Sequence, residues 1–308
     1  MSLVIIILLI ACLAYYICSK IKEPYGKKHN IYISDTCKNY SPNIVKYILS
    51  SDNVVEVNNK NDAEINVYHI ADNNYAPNKI NIVISGEVNQ VENNIDMCIS
   101  TISNQNAKFN IYYPFMYSSL HERRKSTNNK DYISPKTKFC CFMYKAHHEH
   151  RVKYFKLLSS YKKVDALGKS CNNVNIPDTR GINNESETYN DIAVDLYKNY
   201  KFVIAVENGD KPGYFTEKIL NPIIANSIPI YWGNHDVFNF INKKRVIYIP
   251  DYTDNELLKL IERLDNNDNE YQAIISQPIY VGTDKEPSNI ENKVQQEIKA
   301  TMKKILKE

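Results

Sequence analysis

The feature that most constrains this chain is the stretch from Tyr200 to Gly233, in which two apolar runs flank a polar turn and an amphipathic segment. The runs 202–206 and 228–232 have the continuous apolar character of strands buried on both faces. Between them, Thr216 is a suitable N-cap, and the apolar residues that follow recur at helical spacing. The stretch therefore predicts a strand–loop–helix–strand unit of a parallel sheet, joined by a right-handed crossover.

Polar side chains of this unit fall beyond the carboxyl end of the first strand, where ligands bind in open α/β sheets. They are Glu207, Asn208, Tyr214, Glu217 and Lys218. A lysine at a helix start neutralises a phosphate, and a neighbouring glutamate accepts hydrogen bonds from sugar hydroxyls. The cluster therefore predicts a nucleotide-sugar site, although an isolated Thr-Glu-Lys is more often a solvated helix start.

The segments YKFVIAVEN, TEK and IPIYWG resemble, in order and spacing, the signature of the α1,3-fucosyltransferase family, which are inverting enzymes that use GDP-fucose. Two departures are Val206, where the family usually has phenylalanine, and Gly209, where it usually has serine. The resemblance implies a GT-B fold, with two Rossmann-like domains facing a cleft. It also implies that Asn208, Tyr214, Glu217 and Lys218 bind the donor and that Glu207 is a possible donor-side residue.

A second match lies in the first half of the chain, where apolar runs at 31–34, 65–69 and 80–85 predict strands and 42–49 predicts a helix. The third strand ends in Ser85-Gly86-Glu87. A glutamate after a glycine is usually a solvated turn residue. The family, however, has an S-G-E motif followed by a D-x-x-I strand, which 96–99 matches, and this resemblance makes Glu87 the general base.

The second domain is predicted to open with a strand at 139–144 and a helix that begins near Arg151. A forked guanidinium at a helix start suits a diphosphate, although a surface arginine is the alternative. The family has an arginine there that binds the diphosphate, followed by a V-D-x-x-G-K segment like 164–169. The resemblance thus assigns Arg151 to the donor and makes Lys169 a possible donor-side residue.

Three histidines that are close in sequence, His147, His148 and His150, are potential metal ligands. The sequence around them, however, contains no HExxH motif. The chain also contains no Asp-x-Asp, the motif by which another transferase fold holds a diphosphate through a cation. We therefore expect no metal ligands and no required cofactor, with a divalent cation at most stimulatory, since Arg151 and Lys218 supply the positive charge.

The apolar run from Leu3 to Cys18 predicts a single-pass membrane anchor without a signal-peptide cleavage site. Lysines follow the run, which favours a cytoplasmic catalytic part under the positive-inside rule. Fucosyltransferases of eukaryotic secretory membranes have the opposite, Golgi-lumenal orientation, so both orientations stay open. A net charge of +3 without a basic block makes nucleic acid an unsuitable partner.

We therefore predict an anchor at 1–22, an N-terminal acceptor-side α/β domain at 29–135, a C-terminal GDP-fucose-binding Rossmann-like domain at 136–275 and a helical tail at 276–308. Strand 245–249 and helices 254–264 and 290–306 complete the pattern. The implied function is fucose transfer from GDP-fucose to a glycan hydroxyl. Two alternatives are a GT-B transferase that uses another nucleotide sugar and a catalytically silent glycan-binding protein. The match weakens around 111–114, so the resemblance specifies the donor and leaves the acceptor open.

Overall fold

The structure, a computed structural model, describes residues 27–72, 74–87, 93–114, 136–175 and 186–307 of the 308-residue chain. The predicted anchor at 3–18 lies outside these residues. In the part of the chain that the structure describes, no helix combines the length and the apolar character that crossing a membrane requires.

The first sheet contains six strands that pair in parallel throughout. They are β1 (His29–Ile33), β2 (Val54–Glu56), β3 (Ile65–His69), β4 (Ile80–Ser85), β5 (Ile95–Ser100) and β6 (Ala107–Tyr112). Their spatial order is β2-β1-β3-β4-β5-β6, so the chain reverses its direction of winding between β1 and β3. Every residue of β3 is buried, which explains its unbroken run of strand-forming residues.

Two helices, α1 (Asp35–Tyr40) and α2 (Pro42–Leu49), connect β1 to β2. The Ser34 hydroxyl caps α1 by accepting the Cys37 N–H, and Pro42 occupies the first turn of α2. The apolar face of α2 buries Ile44, Val45 and Ile48. The predicted bounds of β3, β4 and α2 are confirmed, whereas α1 and the three-residue β2 are too short for a periodic signal.

The second sheet contains five parallel strands in the order β11-β10-β9-β7-β8. They are β7 (Lys138–Phe142), β8 (Val164–Ala166), β9 (Tyr200–Val206), β10 (Ile228–Trp232) and β11 (Ile247–Tyr248). Here the winding reverses between β7 and β9. The helices of this half are α3 (Glu149–Ser159), α4 (Ser186–Tyr197), α5 (Glu217–Ile224), α6 (Asp254–Asn266) and α7 (Asp268–Ile275). The prediction of an α/β fold with parallel sheets is confirmed.

The strand predicted at 245–249 is shorter in the structure because its two ends fold differently. Arg245 belongs to a 3-10 turn, and its buried guanidinium donates to Asn226 Oδ1 at 2.8 Å and to the Ile274 carbonyl at 3.3 Å. A second 3-10 turn begins at Ile249, where Pro250 cannot donate to a neighbouring strand. Side-chain and proline chemistry therefore override the apolar pattern at both ends.

The last helix, α8 (Pro287–Leu306), returns to the first sheet and packs against α2 and β6. Its apolar stripe is buried, as the sequence pattern predicts, and includes Ile290, Val294, Ile298 and Met302. On the same face, the Glu291 carboxylate accepts a hydrogen bond from Tyr47 Oη at 2.6 Å and another from Tyr113 Oη at 2.5 Å. The segment predicted as a tail therefore packs on the first half of the chain.

We predict that Glu291→Ala lowers the free energy of unfolding by about 2–3 kcal/mol, because the buried Tyr113 hydroxyl and the half-buried Tyr47 hydroxyl lose a charged hydrogen-bond acceptor. Urea denaturation followed by far-ultraviolet circular dichroism measures this change. Glu297→Ala is the matched control, because the Glu297 carboxylate lies on the same helix 3.9 Å from Lys293. Such a pair stabilises a helix by only about 0.2–0.5 kcal/mol. Equal losses in the two variants would contradict the docking role of Glu291.

Candidate active site

The carboxyl ends of the two sheets face each other through the loop that follows β9. Tyr112, the last residue of β6, donates its Oη to the Gly213 carbonyl at 3.0 Å. Gly213 has φ +81°, and a Cβ there would lie 2.6 Å from the carbonyl oxygen of Thr101, which follows β5. The loop therefore needs glycine where it rests on the first sheet. This contact brings the residues after β9 next to those after β4, β5 and β6.

A buried carboxylate, Glu207, organises the loop. Its side chain is fully buried directly after β9. Oε1 accepts the Thr216 backbone N–H at 2.8 Å, and Oε2 accepts the Thr216 hydroxyl at 2.7 Å. Burial raises the pKa of Glu207, and the Lys218 ammonium opposes that shift. Glu207 therefore links the end of a strand to Thr216, the N-cap of the next helix.

Lys218 lies between two carboxylates at the start of α5. Its Nζ is 3.2 Å from Glu217 Oε1 and 3.5 Å from Glu207 Oε2, and it donates to Thr216 Oγ1 at 3.0 Å. Burial alone would lower the pKa of Lys218, but the two carboxylates together raise it above its ordinary value. Burial opposes ionisation of Glu217, yet the Lys218 charge and hydrogen bonds hold the Glu217 pKa below its ordinary value. Lys218 and Glu217 are therefore both charged at neutral pH.

Arg151 is the second buried cation of this region, with 3% of its surface exposed. It lies in the first turn of α3, where its Nη2 donates to Asn208 Oδ1 and its guanidinium stacks 4.5 Å from the Tyr144 ring centroid. The Tyr144 hydroxyl in turn accepts the Val206 N–H at 2.6 Å and donates to the Ile204 carbonyl at 3.0 Å. Arg151 Nε has no hydrogen-bond partner among the described residues. A buried N–H of a charged group thus remains available to a ligand.

Both cations line one cavity of about 200 Å³ at the carboxyl ends of β7 and β9. This is the position at which the winding of the second sheet reverses, where ligands of doubly wound sheets bind. The side chains of Tyr144, Arg151, Ile204, Glu217, Lys218 and Asn221 contribute to its wall. The structure therefore brings together Arg151, Asn208, Glu217 and Lys218, which the sequence assigns to one donor site.

Glu87 is exposed at the carboxyl end of β4, and its backbone N–H is 3.2 Å from the Ser85 hydroxyl, which accepts it. Burial raises the pKa of Tyr40 to about 12, and the carboxylates of Glu87 and Glu217 reinforce this shift. Burial likewise raises the pKa of Tyr214, to which Glu207 and Glu87 contribute. The pKa values of both tyrosines are therefore raised by the Glu87 carboxylate and by carboxylates at or before the start of α5.

Three other residues of the sequence prediction have distinct positions. Tyr214 is buried with 2% of its surface exposed and supports the loop beside Glu207. Lys169 is exposed on a turn whose Gly168 lies so close to the Tyr144 carbonyl that a Cβ would collide with it. Asp96 lies near the amino end of β5, where it accepts the Asn81 N–H at 2.9 Å and pairs with Lys108 at 2.6 Å. Asp96, from the D-x-x-I part of the motif, therefore has a structural role. Glu87, from the S-G-E part, is the residue that lies exposed at the carboxyl end of the sheet.

The histidine cluster does not converge on one point. His150 Nε2 is 3.3 Å from the Glu207 carbonyl, and the His150 ring packs 5.5 Å from Trp232. His147 contacts Ser170 and the Glu149 carboxylate instead, at 3.3 and 3.4 Å. Within the described ranges, no three His, Cys, Asp or Glu side chains are arranged to hold a metal ion.

Tyr40, His69 and Tyr144 border the site although the sequence analysis did not select them. The rings of Tyr40 and His69 lie 4.5 Å apart at the carboxyl ends of β1 and β3. The sequence contains a signal for His69, because it is a polar residue at the end of a predicted strand that lies beside the strand before Glu87. Tyr40 is the last residue of α1, and its contact with His69 depends on the strand order, which the sequence does not display.

Comparison with known proteins gives a consistent result. Residues 133–276 match the profile of glycosyltransferase family 10 (fucosyltransferase), C-terminal part. A protein of Acanthamoeba polyphaga mimivirus that is named as a candidate fucosyltransferase is 47% identical over 257 residues, which are 82% of this chain and 43% of that protein. The GDP-fucose protein O-fucosyltransferase 3 of Gallus gallus is 28% identical over 127 residues, 41% of this chain and 26% of that protein. The chain thus spans less than half the length of these relatives.

Among solved structures, an alpha1,3-fucosyltransferase crystallised with GDP matches with a TM-score of 0.70 at 20% identity, covering 94% of this chain and 93% of that one. The same enzyme type with GDP-fucose gives a TM-score of 0.68 at 19% identity, with 93% of each chain covered. At this identity the likeness concerns the fold, and it confirms the predicted GT-B-like arrangement of two parallel sheets. The profile match over 133–276 and the relative that is 47% identical over 82% of this chain identify the chain as a member of glycosyltransferase family 10.

Proposed function

We propose that this chain transfers fucose from GDP-fucose to a hydroxyl group of a glycan acceptor, with inversion at the anomeric carbon. The observation that carries the proposal is the cavity that Arg151 and Lys218 line together at the carboxyl end of the second sheet. Glu87 is an exposed carboxylate at the carboxyl end of β4 in the first sheet. Two cations suit a nucleoside diphosphate, and a carboxylate on the opposite side suits a base. The family match and the GDP complexes of the related fold select the nucleotide and the sugar.

On the donor side, Arg151 and Lys218 bind the diphosphate and stabilise the negative charge that grows as the bond to the sugar breaks. Arg151 is already aligned by Asn208 and Tyr144, and its unpartnered Nε–H supplies a further donor. Glu217 accepts hydrogen bonds from sugar hydroxyls, since its carboxylate is charged and borders the same cavity. The groups are ordered before the donor binds, which lowers the entropic cost of reaching the transition state.

On the acceptor side, Glu87 takes the proton of the attacking hydroxyl. The acceptor oxygen forms its bond to the anomeric carbon on the face opposite the diphosphate, and the bond between that carbon and the phosphate oxygen breaks. GDP leaves with the electron pair of that bond, and Glu87 carries the proton. A single displacement of this kind inverts the configuration and needs no covalent enzyme intermediate.

The proposal includes no required metal ion, because two protein cations already line the cavity that receives the diphosphate.

One alternative function is transfer from a different nucleotide sugar, and another is glycan binding without catalysis. A panel of nucleotide sugars, each tested for GDP, UDP or CMP release with and without EDTA, separates these functions. We expect release from GDP-fucose, largely unaffected by EDTA. A different preferred donor, complete dependence on one metal, or no release from any donor would each contradict the corresponding part of the proposal.

The acceptor class needs its own assay, since the relatives are named both as an alpha-(1,3)-fucosyltransferase and as protein O-fucosyltransferases. We propose a glycan. Parallel reactions with N-acetyllactosamine-type oligosaccharides and with serine- or threonine-containing folded protein domains test this choice. Product that appears only on the protein domains would overturn the glycan assignment while leaving the donor assignment intact.

We also propose that the apolar run Leu3–Cys18 anchors the chain in a membrane as a single-pass segment, of the Golgi type if the host pathway is a eukaryotic secretory one. A chain that begins at Lys22 is then expected to remain in the supernatant after ultracentrifugation and to release GDP at the full-length rate. The full-length chain should sediment with membranes. If the shortened chain aggregates or fails to fold, the run belongs to the protein core.

For the donor site, we predict that Lys218→Ala and Arg151→Ala each lower kcat/KM for GDP-fucose by about 10- to 150-fold. This range corresponds to the loss of about 1.5–3 kcal/mol from a hydrogen bond to a charged group. Steady-state GDP release measures the change.

Lys259→Ala and Arg263→Ala are matched controls on the exposed face of α6. Lys169 is exposed, and GDP release by Lys169→Ala tests whether this residue contributes to the donor site. Wild-type kinetics in a folded Lys218 or Arg151 variant would remove that residue from the site.

For the base, we predict that Glu87→Gln lowers kcat for transfer by about 10²–10⁴-fold, because the amide keeps the shape and removes the proton acceptor. GDP-fucose affinity, measured by calorimetry, should stay near the wild-type value, since Glu87 lies in the opposite half of the cleft. Glu64→Gln is the control, because that carboxylate pairs with His29 near the amino end of the same sheet. Near-wild-type transfer by Glu87→Gln would place the base elsewhere.

A further inference from the structure

His69 occupies the crevice of the first sheet that corresponds to the donor site of the second. It is the last residue of β3, and the winding of the sheet reverses between β1 and β3. Ligands of doubly wound sheets bind beyond the carboxyl ends at such a point. His69 is 6% exposed, and the Tyr40 ring covers it at a centroid distance of 4.5 Å. The imidazole is therefore a buried group at the edge from which Glu87 projects.

The proton of the His69 ring has a defined position. Nδ1 accepts the backbone N–H of Ala71 at 3.2 Å, so this nitrogen carries no proton. Burial lowers the pKa of His69, against the opposing effect of the Asp72 and Glu87 carboxylates, and keeps the ring neutral at pH 7. A neutral imidazole with an acceptor at Nδ1 bears its proton on Nε2. Nε2 is thus a fixed hydrogen-bond donor.

This donor has no acceptor among the described residues, although its nitrogen is buried. The nearby carboxylate of Asp72 is already engaged, because its Oδ2 accepts the Ser34 hydroxyl at 2.6 Å and the His69 backbone N–H at 3.0 Å. Those bonds fix the backbone that carries the ring. The second carboxylate that acts on the imidazole is Glu87. His69 pairs with Ile84 in the neighbouring strand β4, and the exposed Glu87 follows two residues after that strand ends.

We propose that His69 is a positioning residue for Glu87, with its Nε2–H donating to one oxygen of the Glu87 carboxylate when the acceptor is bound. This inference rests on the proposed function, in which Glu87 is the base. One carboxylate oxygen is held by His69, and the other is directed at the attacking hydroxyl. Because the ring is neutral, it orients the base without competing for the acceptor proton. A third group that orients the base through a hydrogen bond is a recurring feature of catalytic sites.

Two substitutions separate the acceptor role of His69 Nδ1 from the donor role of His69 Nε2. His69→Asn places its amide near the position of Nδ1, so it retains an acceptor for Ala71 but loses the Nε2–H donor. His69→Gln places an amide N–H near the position of Nε2. We expect His69→Asn to lower kcat for transfer by about 10- to 100-fold, the effect of losing one hydrogen bond to a charged group. His69→Gln should recover most of that loss, and KM for GDP-fucose should remain unchanged in both variants.

His29→Ala is the matched control, since it removes another histidine–carboxylate contact of the same domain, 2.8 Å from Glu64. It should leave kcat unchanged. In a Glu87→Gln background the loss caused by His69→Asn should disappear, because the group that it positions is gone. Wild-type kcat in His69→Asn, or an undiminished loss in the Glu87→Gln background, would overturn the proposal.

A spectroscopic measurement keeps the proposal testable even if the His69 variants fold poorly. In the ¹⁵N-histidine spectrum of the otherwise intact protein with GDP and acceptor bound, the Nε2 proton of His69 should resonate downfield and move upfield in Glu87→Gln. An identical shift in both proteins would overturn the proposal. If the wild type transfers no fucose but binds acceptor and GDP normally, the proposed function fails and the positioning role fails with it. Normal transfer with no His69 effect removes only the positioning role.

Discussion

The buried Glu207 carboxylate is the interaction on which the arrangement of this protein depends. Removing a charge from water costs several kcal/mol unless hydrogen bonds and an opposite charge compensate. Glu207 receives both, from the backbone and hydroxyl of Thr216 and from the Lys218 ammonium. The same three contacts define where β9 ends and where α5 begins. A structural requirement, the satisfaction of one buried anion, therefore also fixes the cation that faces the cavity.

The remaining geometry follows from the two reversal points. Each sheet leaves a crevice where its winding changes direction, between β1 and β3 in the first half and between β7 and β9 in the second. The contact of Tyr112 with Gly213 joins the two halves of the chain, and Glu291 docks α8 on the first half. Because a one-turn shift of α8 would separate Glu291 from Tyr47 and Tyr113, the helix has one favourable position. The relative placement of the two halves is thus set by specific hydrogen bonds as well as by apolar packing.

The two crevices differ in a way that suits two steps of one reaction. The proposed donor side is charged, with Arg151 and Lys218 both largely removed from water, where electrostatic stabilisation is strongest. On the proposed acceptor side, the Glu87 carboxylate is exposed. In the proposed reaction, a buried diphosphate site would limit the loss of the activated sugar to water, and an exposed base would accommodate acceptors of larger and more varied shape.

The sequence by itself determined the strands β3, β4, β9 and β10, the helix α5 and the placement of Glu87, Glu207, Asn208 and Lys218 at strand or helix ends. Local periodicity and capping specify such features because they depend on residues within a few positions of one another. Only the tertiary structure decided which carboxylate is buried, that Arg151 meets Asn208, that α8 returns to the first sheet, and that His69 lies beside Tyr40 near Glu87. These contacts join distant segments, and they depend on strand order and on the facing of two sheets. A linear pattern of apolar and polar residues does not contain that information.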